Sequence, residues 1–138
     1  MLLLRAGAFY FGLTFAVGCV LGPIRVLVLE PAIGTLGGAM AEAPFMIAAM
    51  AAIARWTQRQ CGIATSSEAM GMGLVGLAFL LVVEMLSTIL LRGVPLHIYL
   101  RFLLTPAGFI SLLLFALFAV MPSLIYRRLN NATAHAGD

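Results

Sequence analysis

Five side chains place a charge or a titratable group where it could do chemistry: Arg25, Glu42, Glu84, His97 and Arg101. The first three lie within long apolar segments, where an ionised group is costly unless another group pairs with it. A carboxyl group in such a place can carry a proton, and an arginine can serve as its counter-charge. The histidine and the last arginine are four residues apart near a segment end, where they can contact lipid headgroups.

Glu42 is the strongest functional candidate, because packing alone hardly explains a solitary carboxyl in mid-membrane. At 1.5 Å per residue it lies about 17 Å past Pro31 and about 20 Å before Arg55. A charge at the bilayer centre costs roughly 2.5–3.5 kcal/mol on insertion scales. We therefore expect a protonated or hydrogen-bonded carboxyl, for which the carbonyl group freed by Pro44 is one partner.

Arg25 and Glu84 are expected to pair across the first and third apolar segments. Arg25 is about 9 Å before Pro31, where the first segment must end, and Glu84 is about 12 Å below Arg92. Both would lie on the same half of the membrane. An ion pair that fixes helix packing is the simplest interpretation, and Glu30 is the alternative partner for the arginine. A role in binding or transport is the other interpretation.

The remaining residues predict no catalytic, cofactor-binding or metal site. The sequence has no nucleophile with a neighbouring base, no cofactor motif and no metal-ligand spacing. Cys19 lies in an apolar segment and Cys61 in a connection, so a disulfide framework has little support. The arginines are scattered at segment ends and do not form the basic patch of a nucleic-acid-binding protein. We expect no enzyme, no cofactor and no nucleic-acid partner.

Composition places these residues in a lipid bilayer. Hydrophobic residues make up 63% of the chain and charged residues 9%, which leaves too little polar surface to cover a soluble domain. A transmembrane helix needs about 20 apolar residues, and four stretches reach that length. The prediction is an all-α fold, an integral membrane bundle of four transmembrane helices in one domain of residues 1–128. The predicted spans cover about 6–29, 33–54, 70–91 and 106–126.

Local signals predict where the later helices begin. Thr65 and Glu68 have capping-box spacing, and Thr105–Pro106 combines an N-cap residue with a proline at the first helical position. The piece Pro95–Leu104 is too short to span a bilayer, so it predicts a short interfacial helix before the fourth span. Residues 129–138 are small and polar, which is typical of a mobile tail.

Small residues recur at helical spacing in the first three spans, and the ionisable residues fall on the same stripes. Such stripes allow membrane helices to approach closely, so they predict that Arg25, Glu42 and Glu84 face the bundle interior. The stripes are Thr14, Gly18, Gly22 and Arg25; Gly34, Gly38, Ala41, Glu42 and Ala49; and Gly73, Gly76, Glu84, Ser87 and Thr88.

Arginine positions predict the orientation. A short connection around Glu30 and Pro31 makes the second span antiparallel to the first. The arginines then divide five to three between the two sides, and the richer side is expected to be cytoplasmic, with both termini. Arg5, Arg55, Arg59, Arg127 and Arg128 share that side, and Arg25, Arg92 and Arg101 lie on the other.

Three short motifs, Leu21–Leu27, Glu42–Met46 and Ala54–Trp56, resemble a group of small four-helix bacterial inner-membrane proteins of uncharacterised function. The resemblance implies a fold and a location, and it implies no activity. The small multidrug-resistance transporters have a similar size, but their essential carboxylate is in the first helix, where this chain has no acid before Glu30.

Three functions remain open at this point. The favoured one is a structural or accessory role, in which the protein packs against other membrane protein subunits or against itself. The alternative is an oligomeric proton-coupled transporter or channel that uses Glu42. A membrane enzyme acting on a lipid through His97 and Arg101 is the third, and one histidine with one arginine is a weak basis for catalysis.

Overall fold

The computed structural model describes residues 1–91 and 93–135, and over them the chain is helical, with no strand. The α-helices are α1 Leu2–Ile24, α2 Glu30–Cys61, α3 Ser66–Leu86, α4 Leu96–Leu103 and α5 Pro106–His135, with π-helical segments at Arg25–Leu29 and Ser87–Leu91. The all-α prediction is confirmed. Three helical stretches are long and apolar enough to cross a membrane: Leu2–Cys61, Ser66–Leu90 and Pro106–Asn131.

The first of these stretches, of 60 residues, is interrupted at Gly34. This residue has φ 78° and ψ 167°, a conformation that glycine adopts without the penalty a Cβ would bring. The chain reverses direction there, which brings residues on either side of Gly34 together. A Cβ built on Gly38 would lie 3.1 Å from the Cγ of Arg25. The predicted connection around Glu30 and Pro31 is therefore wrong. Pro31 lies in the first turn of α2, where a missing N–H costs little, and so it does not end the helix.

The long helices surround a common core. α1 packs against α2 and α3, and α5 packs against the same two helices. α1 and α3 run parallel, since Leu3 contacts the Cβ position of Gly71 and Gly7 lies beside Val75 and Gly76. α3 and α5 run antiparallel, since Gly73 meets Ala119 and Arg127 donates a hydrogen bond to Ser66.

The buried core occupies one half of this bundle. Its members come from the first half of α1 and α3, the second half of α2, the middle of α5, and the α2–α3 connection: Ala6, Tyr10, Met50, Ala54, Ile63, Ala69, Met72, Phe118 and Met121. We call this half the core end and the half that contains Gly34 the hairpin end. The buried residues at the hairpin end are mostly small: Gly38, Ala39, Thr88, Ala107 and Gly108.

Two polar side chains bind the core end together around Pro122. This proline has no N–H for the carbonyl of Phe118, four residues earlier. The Tyr10 hydroxyl donates a hydrogen bond to that carbonyl at 3.1 Å. Gln58 Nε2 donates to the carbonyl of Pro122 at 2.5 Å. Side chains of α1 and α2 thus bind the backbone carbonyls of α5 on either side of the proline.

Tyr10→Phe should lower the free energy of unfolding by about 1–3 kcal/mol, because it leaves a buried carbonyl without a donor. The ring stack on Phe118, with centroids 4.4 Å apart, would remain. Thermal unfolding in mild detergent measures the loss. Tyr126→Phe is the matched control, since its hydroxyl bonds to Ala64 at an exposed site where other donors can replace it. Equal losses in the two variants would contradict the role assigned to Tyr10.

The predicted helix starts are confirmed. The Thr65 hydroxyl accepts from the Glu68 N–H at 3.1 Å, and the Glu68 carboxylate accepts from the Thr65 N–H, which completes the capping box. The Thr105 hydroxyl accepts from the Gly108 N–H at 3.1 Å and so caps α5.

The C-terminal end differs from the expected mobile tail. α5 continues past Arg128 to His135, so residues 129–135 belong to the helix. Asparagine and threonine have only modest helix penalties, and a long preceding helix needs no new nucleation to continue through them. The rest of the predicted tail, 136–138, lies outside the described residues, as does Arg92, which entered the orientation argument.

Candidate functional site

Arg25 lies between two glutamates at the hairpin end. Its Nη1 is 3.1 Å from Oε2 of Glu42, and its Nε is 3.3 Å from Oε1 of Glu30. The exposed fraction of the side chain is 26% for Arg25, 23% for Glu30 and 12% for Glu42. We call these three residues the Arg25 cluster. It joins the end of α1, the π-helical segment and α2.

The π-helical segment explains how Arg25 and Glu30 come together. The Glu30 N–H bonds to the carbonyl of Arg25, five residues earlier. In a regular α-helix, residues five apart are rotated by about 140° from one another. A π-turn brings them close to the same face, and such turns are frequent at functional sites. The widened turn therefore directs both side chains towards the part of α2 that follows Gly34.

Gly38 provides the space in which these side chains cross between the helices. A Cβ at this position would lie 3.1 Å from the Cγ atoms of both Arg25 and Glu30. That separation is tighter than most Cβ contacts, so any larger residue would displace the two side chains. The small-residue stripe predicted in the second span includes Gly38, and here a close approach of helices does depend on it.

One donor of Arg25 has no hydrogen-bond acceptor. Its Nε atom is buried, and its N–H does not point at the Glu30 carboxylate, although the two groups are only 3.3 Å apart. The approach is therefore a charge–charge contact without a hydrogen bond, because a hydrogen bond also requires alignment of the donor.

The Arg25 cluster also contains more negative than positive charge. With all three groups ionised, two carboxylates and one guanidinium leave a net charge of −1. A buried charge without a full complement of partners is strongly unfavourable.

An apolar cleft of about 310 Å³ adjoins the Arg25 cluster. Glu42 is on its wall, and the other lining residues are Leu21, Ile24, Leu29, Ala41 and Phe45. A cleft with apolar walls and few polar groups is the usual form of a small-molecule site. A ligand here would meet hydrocarbon on most sides and the Glu42 side chain on one wall.

Glu84 does not form an ion pair with Arg25, which corrects the predicted partner. Salt bridges within the described residues join Arg25 to Glu30 and Glu42. The contacts of Leu3 with Gly71 and of Gly7 with Val75 set the register of the parallel helices α1 and α3. This register places Glu84 level with Ala16, nine residues and about 13 Å from Arg25.

The face of α3 leads to the same conclusion. Glu84 is eleven residues past Gly73, which is close to three full helical turns. It therefore shares the face on which Gly73 meets Ala119 of α5. Its carboxyl group lies towards α5, whereas Arg25 lies towards α2.

Glu42 is neither solitary nor halfway along the helices. The hydrogen bond from Gln58 to Pro122 sets the register of the parallel helices α2 and α5. Counting back from that contact puts Glu42 level with Pro106, where α5 begins. The depth predicted for Glu42 from the sequence was counted from Pro31. The chain reverses at Gly34, which is closer to Glu42.

His97 and Arg101 lie on the predicted short helix and form no ion pair with the Arg25 cluster. This helix is confirmed as α4, and both side chains are exposed. Its end packs closely on the start of α5, where a Cβ at Gly108 would overlap the carbonyl oxygen of Phe102. Apolar side chains on the same helix are exposed as well: Leu96, Ile98, Leu100 and Phe102.

The Arg25–Glu42 pair follows from the position of the reversal. In an antiparallel hairpin, residues at equal distances from the reversal lie opposite one another. Arg25 is nine residues before Gly34 and Glu42 is eight after it. Choosing Gly34 as the reversal, in place of Pro31, would have paired the two residues.

No protein-family model, curated protein or solved structure matches this chain.

Proposed function

We propose that the protein is a multi-pass protein of the bacterial inner membrane with a structural or accessory role, in which it binds other membrane helices. The parts of Leu2–Cys61 before and after Gly34 would be the first two spans, and α3 and α5 the other two. The arginines at the core end would face the cytoplasm with both termini. α4 would then lie at the opposite membrane surface.

Gly18 and Gly22 carry this proposal. A Cβ built on either residue meets no atom within 4 Å beyond the neighbouring backbone of its own helix. Gly7 and Gly76, by contrast, lie where α1 and α3 touch. The chain thus uses one pair of glycines for its own packing and leaves a second pair open. Glycines at GxxxG spacing allow another helix to approach closely.

The sparse packing of the hairpin end supports the same role. Large apolar side chains there are exposed, among them Leu27 at 74%, Phe45 at 67% and Leu90 at 73%. Lipid tails can cover such residues, but membrane proteins gain stability from close packing between helices. A partner helix would supply the contacts that the chain itself makes only at the core end.

The alternative of a proton-coupled transporter has less support than the sequence suggested. It depended on Glu42 as a solitary carboxyl in mid-membrane. That carboxylate contacts Arg25 at 3.1 Å, and packing of α1 on α2 is a sufficient reason for the pair.

The Gly18→Leu/Gly22→Leu double variant should lose the partner subunits while keeping its own fold. Leucine at these positions would block close approach of a second helix. The measurement is the mass and composition of the complex purified in mild detergent. Wild-type protein should form a larger complex of fixed stoichiometry.

Gly12→Leu is the matched control for that experiment. Gly12 also has open space at its Cβ position, and it lies six residues before Gly18, about 120° around α1. This variant should keep the partners. Wild-type protein that purifies without other subunits, or equal loss of partners in both variants, would contradict the proposed role.

A further inference from the structure

The core end of the bundle carries exposed arginines that have no acidic partner. They come from three helices: Arg5 of α1, Arg55 and Arg59 of α2, and Arg127 and Arg128 of α5. We call these five residues the arginine collar. The salt bridges within the described residues all involve Arg25, at the hairpin end. Arg127 Nε donates a hydrogen bond to the Ser66 hydroxyl, which is neutral, so the charge of this arginine is not balanced either.

The glutamate at this end does not neutralise the collar. Within the part of the chain that the structure describes, Glu68 is the one acid there, in the first turn of α3. Its Oε2 accepts hydrogen bonds from the N–H groups of Ala64 at 2.9 Å and Thr65 at 3.1 Å. Five arginines less one carboxylate leave a formal charge of +4 at the core end.

The collar follows the edge of the apolar part of the bundle. Arg5 stands directly before the first predicted span, Arg55 directly after the second and Arg127 directly after the fourth. Trp56, which is 49% exposed, follows Arg55. Arginine and tryptophan at the end of a transmembrane helix lie at the level of the lipid headgroups. The collar is therefore at the height at which hydrocarbon gives way to headgroups.

Arg55 and Arg59 are one helical turn apart on the exposed side of α2. Residues at this spacing have Cβ atoms about 5–6 Å apart, and like charges there destabilise a helix. An anion between the two guanidinium groups offsets this repulsion and accepts charge-assisted hydrogen bonds from both. This pair is therefore the part of the collar best placed to bind a phosphate.

We propose that the arginine collar binds the headgroups of anionic phospholipids, with Arg55 and Arg59 on either side of one phosphate. A zwitterionic headgroup binds less well, because its ammonium cancels the phosphate charge and is repelled by the arginines. The position of the collar favours lipid over nucleic acid. Its residues are distributed over three helices along the edge of the apolar surface, whereas nucleic-acid-binding proteins cluster their basic residues on one face.

This lipid site goes beyond the proposed binding of partner helices. Gly18 and Gly22 lie in the second half of α1, away from the collar. The Gly18→Leu/Gly22→Leu variant should therefore retain anionic lipid as the wild type does, even though it loses the partner subunits. Loss of the lipid together with the subunits would overturn the assignment to the collar, because the lipid would then be held between subunits.

Native mass spectrometry of the purified, delipidated protein measures the retention of lipid. The probes are phosphatidylglycerol, phosphatidylethanolamine and phosphatidylcholine with identical acyl chains. An arginine near the membrane surface strengthens binding of anionic lipid about fivefold, so Arg55 and Arg59 together should favour phosphatidylglycerol by about 25-fold. Equal retention of the three lipids would overturn the proposal and leave an acidic protein segment as the partner of the collar.

Three single variants identify the arginines responsible. Arg59→Gln should weaken retention of phosphatidylglycerol about fivefold, and Arg59→Lys, which keeps the charge but loses the planar guanidinium, about twofold. Arg101→Gln is the control for charge alone, since Arg101 is exposed at the hairpin end. It should leave retention unchanged. Equal losses in Arg59→Gln and Arg101→Gln would overturn the assignment to the collar.

Discussion

Arg25→Met should lower the free energy of unfolding in detergent by about 3 kcal/mol, the lower end of the cost of removing one partner of a buried ion pair, because this side chain is only partly buried. The loss of the guanidinium leaves the carboxylates of Glu30 and Glu42 close together without a counter-charge. The π-helical segment should also lose the contact that holds its two ends on one face. Thermal unfolding monitored by circular dichroism gives the size of the loss.

A double-mutant cycle identifies the partner of Arg25. Arg25→Met combined with Glu42→Met should recover part of the stability, since neither of the two charges then remains alone. Recovery should be incomplete because Glu30 stays in place. The same cycle with Glu84→Met should be additive, because Glu84 lies about 13 Å away along the helix axis. Coupling to Glu84 with additivity at Glu42 would reverse the assignment.

Features fixed by local sequence were predictable. The capping box at Thr65 and Glu68 depends on residues three apart, and the structure has it as predicted. The short helix α4 and the N-cap at Thr105 also follow from nearby prolines and polar residues. These signals are strong because the side chain of a capping residue forms a hydrogen bond with a backbone N–H only a few residues away, and that bond forms only if the helix begins at that residue.

Features that depend on register were not predictable from the same signals. Pro31 and Gly34 both disturb a helix, and only the three-dimensional packing of α1 on α2 decides which of them reverses the chain. That difference of three residues changes the depth assigned to Glu42. The partner of Arg25 depended in addition on the offset between α1 and α3, which is set by the contacts of Gly7 with Val75 and Gly76. Helix periodicity carries no information about such an offset.

The core end of the bundle provides most of the packing that stabilises the fold, and the hairpin end carries the proposed partner-binding surface. At the core end, Tyr10 and Gln58 bind the backbone of α5, and the buried apolar side chains pack around them. At the hairpin end the buried residues are small and the charged ones pair within α1 and α2. Binding surfaces are commonly drawn from the less stable parts of a protein. The open glycine face of Gly18 and Gly22 extends to that end.

Gly73→Ala should disrupt the core end, because the added Cβ would overlap the backbone carbonyl oxygen of Ala119. Pro122 Cδ, at 3.3 Å, closes a second side of the same space. A flexible side chain could move aside, but a helix backbone can yield only if α3 and α5 separate. We expect a loss of about 3 kcal/mol, at the upper end of the range for overpacking.

The control for Gly73→Ala is the same substitution at Gly12, which has open space around its Cβ position. Alanine is the better helix former by up to about 1 kcal/mol, so Gly12→Ala should be neutral or stabilising. Unfolding in a series of denaturing detergent mixtures compares the two variants on one scale. If Gly73→Ala proved as stable as Gly12→Ala, α3 and α5 would not approach each other at Ala119. The contact of Gly73 with Ala119 would then no longer support the placement of Glu84 on the face of α3 that packs against α5.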